Sequence, residues 1–395
     1  MLKPNQGLPM PLILALSVMA GISVANIYYC QPLLNMISED TGLSTFEVNL
    51  MPVFTQVGYA LGLLFIIPLG DLYNRRKTIL ASFSAVVMAL LVIYLSGNTA
   101  LLLGASFVTG FCSVSPQVFI PFVSLYAKPD QKERKVGIVL SGLLVGILAS
   151  RVVSGYVGHV MGWRSMYLIA AVIMALSALI ILRIFPNVEP TYHGTFASLM
   201  KSIRLLIKDH PRSMLYSIRS AFAFGSMLGI WACLAFRMKE APFFADSDTV
   251  GMLALCGVAG ALTASNVGKY IPRYGVECIN GIGAALVALS WGVMALFDDT
   301  YVGMIAGIII IDIGMQCIQL SNQSATMRLC PDATSRMNTI YMVTYFIGGS
   351  FGTFLAGTMW SMYGWMGTVA SGMGMILVSI LISLVSARQE KCDKQ

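Results

Sequence analysis

VGIVLSGLLVGILASRVVSGYVGHVMGW, residues 136–163, is the stretch that decides the fold. As a helix rising 1.5 Å per residue, it is long enough to cross the roughly 30 Å hydrocarbon core of a bilayer. Its one Lys, Arg, Asp or Glu residue is Arg151. An arginine in the middle of a spanning helix costs roughly 2.5 to 3.5 kcal/mol on insertion scales, so it should face protein or a wet cavity and have a partner.

Asp312 is the predicted partner of Arg151. When the acidic residues are assigned to loops or spans, Asp312 is the one that falls at membrane depth. The two residues lie at depths that differ by about 6 Å, counted from the outer ends of their helices at 1.5 Å per residue. The sequence therefore predicts contact between them. Two interpretations stay open: a proton-coupling pair, or a static ion pair that pins two helices together.

The composition is that of an integral membrane protein. Of 395 residues, 57% are hydrophobic and 11% are charged, against roughly 25% charged in an ordinary soluble domain. The net charge of +7 comes from basic residues dispersed at the ends of apolar runs, which membrane topology explains better than nucleic acid binding. The eight cysteines form no CxxC pair and the three histidines no metal spacing, so we expect no metal, no cofactor and no disulfide framework.

Apolar runs separated by short polar segments predict twelve membrane helices. Their approximate ranges are 10–34, 46–69, 78–97, 100–126, 136–159, 165–184, 214–236, 249–268, 276–297, 301–323, 337–360 and 366–386. Lys and Arg concentrate in alternate connections, and this asymmetry places both termini in the cytoplasm. Arg219, about one and a half turns into the seventh helix, is expected to extend to the cytoplasmic surface.

The longest connection, residues 185–212, divides the chain into an N-terminal six-helix bundle (1–184) and a C-terminal one (213–395). Within this linker, apolar residues recur at helical spacing between basic ones. The linker helix is expected either to lie on the cytoplasmic leaflet or to be a solvated connection without lipid contact.

The two halves repeat one another. Pro129, Asp130, Arg134, Gly146, Gly155, Gly162 and Trp163 recur, at a constant offset of 202, as Pro331, Asp332, Arg336, Gly348, Gly357, Gly364 and Trp365. Parallel repeats of six helices suit a transporter whose halves enclose a site near the midplane and rock about it.

Polar stripes on the fourth and tenth helices indicate where that site lies. Asp312, Gln316, Gln319 and Gln323 keep to one helical face, and the fourth helix carries a comparable stripe. The stripes line either a water-filled cavity or hydrogen-bonded helix contacts worth about 0.6 kcal/mol each. The candidate cavity residues are Asn26, Tyr29, Ser113, Gln117, Ser226, Trp231, Gln316, Gln319 and Gln323.

The loop Gly70-Asp71-Leu72-Tyr73-Asn74-Arg75-Arg76-Lys77 resembles the loop signature of the major facilitator superfamily. It departs from that signature at Ile67, Leu72 and Asn74, and Ser106 stands where the family often has an arginine. The resemblance implies an all-α integral membrane fold with twelve transmembrane helices in two pseudo-symmetric six-helix bundles. It also implies a cavity lined by helices 1, 4, 7 and 10. Asp71, Arg75 and Arg76 would form a cytoplasmic gate, with the carboxylate facing a helix of the opposite half.

Residues 25–34, 142–155 and 312–339 resemble bacterial efflux permeases grouped with arabinose, purine-nucleoside and drug exporters. The resemblance implies a monomeric, multi-pass transporter of the bacterial inner membrane, in contact with lipid, that exports a small organic solute by proton antiport. Asp312 would carry the proton and Arg151 would be its partner. Uptake or facilitated diffusion on the same fold stays open. A membrane-embedded enzyme or receptor is disfavoured, since the sequence shows no nucleophile with a base, metal cluster or phosphate loop.

Overall fold

The computed structural model describes residues 7–187 and 194–392, except for the side chains of Asp71, Ser265, Asp332 and residues 387–392. Over this range the chain is helical and contains no strand. The helices of the N-terminal half are α1 (Met10–Ala25), α2 (Leu34–Thr41), α3 (Thr45–Leu72), α4 (Arg75–Leu95), α5 (Thr99–Cys112), α6 (Pro116–Tyr126), α7 (Lys132–Met161) and α8 (Trp163–Ile184). They are followed by α9 (Phe196–Asp209), α10 (Pro211–Lys239), α11 (Ser247–Leu253), α12 (Val258–Tyr274), α13 (Val276–Leu296), α14 (Tyr301–Arg328) and α15 (Thr334–Cys392).

The helices accommodate the twelve predicted spans. Within the described residues, ten helical runs are long and apolar enough to cross a membrane, and Met10–Ala25 is a shorter apolar helix. The long α15 contains two helices, because Gly364 (φ 59°, ψ −146°) interrupts it. The predicted all-α membrane fold is therefore confirmed.

The internal repeat is visible in the backbone. Gly162 (φ 82°) separates α7 from α8, and Gly364 (φ 59°) makes the corresponding break in α15. A residue with a Cβ atom would be strained at either positive φ. The tryptophan that follows each glycine is buried, and its indole donates a hydrogen bond: Trp163 to Asp40 at 3.1 Å and Trp365 to the carbonyl of Met294 at 3.1 Å.

Glycines bring the helices of each half into close contact. A Cβ atom on Gly146 of α7 would lie 2.3 Å from the Cα of Gly21 in α1. In the other half, a Cβ atom on Gly352 of α15 would lie 2.3 Å from the Cα of Gly225 in α10. Small residues at such contacts let membrane helices pack backbone to backbone, which is a main source of their association energy. The two halves are thus built in the same way.

The halves meet along α3 with α15 and along α7 with α11. Hydrogen bonds and ion pairs also join described side chains of the N-terminal half to the C-terminal half. All of these lie on the outer side of the molecule, which is the side predicted to face away from the cytoplasm. These contacts are Ser247 Oγ to the Gly155 carbonyl (2.9 Å), Thr353 Oγ1 to Gln56 Oε1 (3.2 Å), His159 to Asp246 (3.7 Å) and Lys239 to Glu39 (3.9 Å). The halves are therefore joined at their outer end.

The predicted linker helix forms as α9, and its apolar face packs on protein. Leu199 and Ile203 are buried against Met337 and Ile340 of α15. Neither sequence interpretation anticipated this contact, since one assigned the apolar face to lipid and the other to a solvated connection.

Candidate functional site

Arg151 lies between the two halves, in a cage of aromatic side chains. Its guanidinium carbon is 4.7 Å from the ring centre of Tyr28 in the N-terminal half and 4.1 Å from that of Trp231 in α10. Its Nε donates a hydrogen bond of 2.7 Å to Gln31 Oε1. The residue is only 4% exposed. Two cation–π contacts and one charge-assisted hydrogen bond hold this cation in place.

Asp312 lies on α14, where α14 packs against α12. The carboxylate is partly exposed, and it makes no hydrogen bond or ion pair with any described residue. Glycines on the facing helix leave room for it, since a Cβ atom on Gly257 would lie 3.1 Å from Asp312 Oδ2 and one on Gly260 3.1 Å from Asp312 Cβ. An aspartate without a partner at membrane depth is costly and marks a functional position.

The predicted direct contact between Arg151 and Asp312 is wrong for this conformation. Leu148, three residues before Arg151, and Asp312 both approach Gly257, so the two charges lie in one region, but no ion pair within 4.0 Å joins them among the described residues. Arg151 instead turns toward Gln31 and the two aromatic rings. Depth along the helices placed both residues in the same layer, but it could not show which way the guanidinium points.

Two spanning helices are interrupted near this layer. The first span breaks between Ala25 and the 3₁₀ turn that begins at Gln31, and the fourth breaks between Cys112 and Pro116. The breaks approach one another, because Ser23 donates a 3.0 Å hydrogen bond to the carbonyl of Ser113. Backbone N–H groups in both interruptions still donate to nearby carbonyls, as Tyr28 does to Ala25 and Gln117 to Val114. Short turns of this type inside a helix often mark a functional hinge.

Asn26 and Ser113, both predicted cavity residues, lie in these breaks. Each is buried, and the Asn26 Oδ1 and Ser113 Oγ atoms have no hydrogen-bond partner among the described residues. Tyr29, also in the first break, is buried in the main apolar core. Gln117 is partly exposed and contacts Tyr59 of α3.

The glutamine stripe on α14 faces α15 in part. Gln319 accepts a hydrogen bond of 3.1 Å from Tyr345, and Gln323 donates one of 2.8 Å to Asn338. Gln316 is partly exposed and makes no hydrogen bond with a described residue. Gln323 therefore links two helices of the same half, as the helix-contact interpretation expected, whereas Gln316 remains free to face a cavity.

Ser226 does not face the cavity, which corrects the sequence assignment. It is fully buried, donates to the Gly372 carbonyl at 2.7 Å and accepts from Trp291 Nε1 at 2.7 Å. It therefore ties together three helices inside the C-terminal half. Trp231, from the same helix, does reach the centre, but its ring stacks on Arg151.

Two of the gate residues, Arg75 and Arg76, make hydrogen bonds within their own half. Arg75 is buried and donates to the Gly70 carbonyl at 3.3 Å, while Arg76 donates to the Leu182 carbonyl at the end of α8. The side chain of Asp71 lies outside the described residues. The gate stays a prediction.

A buried network in the C-terminal half was missed by the sequence reasoning. Arg219 is fully buried instead of extending to the cytoplasm, and its Nη1 lies 2.6 Å from the Glu277 carboxylate. The network continues as Asn322 donates to Asn280 at 2.7 Å and Asn280 to Ser383 at 2.9 Å. Asparagines inside two predicted spans were the available signal, since buried polar groups need partners.

The fold and the charged site between its halves define a polytopic membrane transporter. The family model of the Major Facilitator Superfamily matches residues 15–353. The chain is 32% identical, over 97% of its own length and 97% of the relative's, to an uncharacterised transporter, YgaY, of Escherichia coli. It is 30% identical to a probable transporter of Streptomyces coelicolor, covering 90% of this chain and 83% of that one. The chain belongs to the Major Facilitator Superfamily.

Solved structures agree on the fold. A mutant form of the nucleoside transporter NupG superposes with a TM-score of 0.78 at 13% identity, covering 95% of this chain and 98% of that one. A bacterial homologue of the human lysosomal transporter Spinster, in an inward-facing and occupied conformation, gives a TM-score of 0.78 at 15% identity over 96% and 97% of the two chains. At these identities the likeness establishes the fold alone.

Proposed function

We propose that this chain exports a small organic solute by proton antiport through alternating access. The moving parts are the halves 1–184 and 213–395, joined by the linker 185–212. The observation that carries the proposal is the unpaired carboxylate of Asp312, placed where the halves meet and beside the caged cation of Arg151. A membrane fold retains such charges at an energetic cost only where they have a role.

Asp312 is the proposed proton carrier. Gly257 and Gly260 approach its side chain, and Arg151 is the cation in the same region. Because Arg151 is held by Gln31 and two rings, it does not neutralise the carboxylate in this conformation. A proton that binds Asp312 removes the remaining negative charge, and a solute that competes for Asp312 releases the proton. Competition of this kind is what antiport requires.

Alternating access needs the outer contacts to open. The contacts between the halves in the outer half form a seam with few polar contacts. One of them is the exposed Lys239–Glu39 ion pair, worth at most about 1 kcal/mol. Separation of the halves there would expose Asp312 to the outer solution, where it could take up a proton. Closure on the predicted cytoplasmic side would involve the Asp71, Arg75 and Arg76 gate.

The setting we propose is the inner membrane of a bacterium, with both termini in the cytoplasm and the protein acting as a monomer. The charge asymmetry of the loops supports this orientation. The bacterial relatives support the organism class.

Everted membrane vesicles with an acidified interior test the proposal. Sugars, nucleosides, amino acids and organic cations are added in turn, and a pH-sensitive dye reports whether any of them discharges the gradient. Asp312→Asn should abolish a response seen in the wild type, whereas Asp299→Asn, at an exposed carboxylate outside the spans, should retain it. The antiport proposal fails if a compound is transported without regard to the gradient and Asp312→Asn transports it normally.

A further inference from the structure

The guanidinium of Arg151 is positioned but not neutralised. Gln31 accepts a hydrogen bond from its Nε, and the rings of Tyr28 and Trp231 lie against its guanidinium group. Its two terminal nitrogens have no hydrogen-bond partner among the described residues. Neither nitrogen is fully enclosed by protein atoms. Each therefore keeps some accessible surface. A planar fork of two free N–H groups is the geometry that binds a carboxylate through two parallel hydrogen bonds.

Asp312 presents the opposite charge in the same layer. Its carboxylate has no partner among the described residues, and more than 4.0 Å separates it from the Arg151 nitrogens. Arg151 comes from the N-terminal half and Asp312 from the C-terminal half. The centre of the protein thus offers one free cation and one free anion, close together but not joined.

These two charges select among the classes of solute. A neutral sugar or nucleoside would leave both charges unpaired, and a simple cation or anion would leave one. A molecule that carries both an ammonium and a carboxylate group pairs each charge at once. Leaving one buried charge-assisted hydrogen bond unmade weakens binding by about tenfold or more.

We infer that the transported solute is a small zwitterion of the amino acid type, whose carboxylate binds Arg151 and whose ammonium group binds Asp312. This inference rests on the proposed function and narrows it to one class of solute. It also gives a physical basis for antiport, because the ammonium group and the proton compete for the same carboxylate.

Aromatic side chains lie in the core near these charges, and their rings pack on one another. The hydroxyl of Tyr345 donates a 3.1 Å hydrogen bond to Gln319, which lies two turns along α14 from Asp312. Its ring stacks on Phe224 at 3.9 Å between ring centres, and Phe346 continues this surface toward Tyr59 at 4.5 Å. The chemistry favours amino acids with apolar or aromatic side chains.

Binding to the full-length protein in lipid nanodiscs tests the inference. The twenty standard amino acids are screened first, by calorimetry. L-phenylalanine is then compared with phenethylamine, which lacks the carboxylate, and with 3-phenylpropanoate, which lacks the ammonium group. We expect at least one amino acid to bind, and each analogue of that amino acid lacking one charged group to bind about tenfold more weakly or worse. The inference is overturned if no amino acid binds, or if either analogue binds as tightly as its zwitterion.

Variants assign each charge to its residue. Arg151→Lys keeps a cation but lacks the fork, so the zwitterion should lose affinity while the amine keeps its own. Asp312→Asn should remove the advantage of the zwitterion over the carboxylate. Asp299→Asn is the matched control and should bind as the wild type does. Variants are compared only if they elute as the wild type does in size-exclusion chromatography. Arg151→Lys is used because it keeps the positive charge that the fold surrounds. Unchanged selectivity in a folded Arg151→Lys or Asp312→Asn protein contradicts the assignment.

A separate measurement distinguishes this inference from the proposed function. A pH indicator in weakly buffered solution reports whether solute binding releases a proton. Zwitterion selectivity without proton release would refute antiport and leave the solute class intact. Proton release by a sugar or a simple amine, without any amino acid binding, would refute the solute class and leave antiport intact.

Discussion

Replacing Gln31 by leucine tests whether this glutamine holds the central cation. Gln31 is buried, and its Oε1 accepts the 2.7 Å hydrogen bond from Arg151 Nε. Leucine fills a similar volume but offers no acceptor. A hydrogen bond to a charged group contributes about 1.5 to 3 kcal/mol, and a buried donor left unmade costs an amount of the same size. We therefore expect Gln31→Leu to lower the free energy of unfolding by about 1.5 to 3 kcal/mol.

The assay is reversible unfolding in mixed micelles with increasing SDS, followed by circular dichroism. Gln316→Leu is the matched control, because Gln316 is partly exposed and makes no hydrogen bond with a described residue. Its effect should stay within about 0.5 kcal/mol. In an Arg151→Met background, Gln31→Leu should cost little, since the donor is already gone. A full-sized loss in that background, or none in the wild type, would refute the proposed role of Gln31.

Three further predictions follow from other contacts. Gly251→Val should weaken joining of the halves and lower transport, measured in vesicles, because a Cβ atom there would lie 2.6 Å from a backbone oxygen of α7. Ser226→Ala should lower the free energy of unfolding by about 1 to 3 kcal/mol, by removing the acceptor of the Trp291 indole, with transport per folded molecule unchanged. Asp40 lies outside the spans, and hydrogen bonds from Arg164 and Trp163 hold its pKa below the ordinary value. The charged form of Asp40 therefore stabilises the folded protein above the ordinary pKa of Asp. This stabilisation is lost as the pH falls through the lower pKa of the folded state. The thermal stabilities of Asp40→Asn and the wild type should therefore converge in acid.

The fold was predictable because the bilayer imposes strict requirements on sequence. Each span needs about 20 apolar residues, and cationic residues mark its cytoplasmic end. The repeated Gly162-Trp163 and Gly364-Trp365 pairs gave the symmetry of the halves, and the structure places both at equivalent breaks. These features depend on length, composition and local backbone geometry, all of which one sequence contains.

The site was only partly predictable, because it depends on how side chains rotate and how helices face one another. Ser226 and Trp231 were both assigned to the cavity, yet five residues on a helix separate two side chains by about 140°. Only one of them could face the centre. The angle between the two side chains shows that they do not both face the cavity. To decide which one does, the packing of α10 on its neighbours is needed.

Arg219 shows the same limit from the energetic side. A long cationic side chain near a helix end can reach water at little cost. The sequence of α10 alone therefore could not predict that Arg219 is buried. Its partners Glu277, Asn322 and Ser379 come from three other helices, and Glu277 supplies the counter-charge. The network forms only once those helices have assembled.

The distribution of strong and weak contacts suits a protein that moves as two bodies. Inside each half, glycine contacts bring backbones together, and in the C-terminal half the buried Arg219 pairs with the partly exposed Glu277. Removing the partner of a buried charge costs up to roughly 3 to 5 kcal/mol, whereas the exposed Lys239–Glu39 ion pair across the outer seam is worth at most about 1 kcal/mol. A solute that pairs with Arg151 and Asp312 contacts both halves at once. Its binding energy therefore changes how the two halves are arranged relative to one another, and not the structure within either half. Because the halves resist deformation more than the seam does, the free energy of binding is directed into their relative movement.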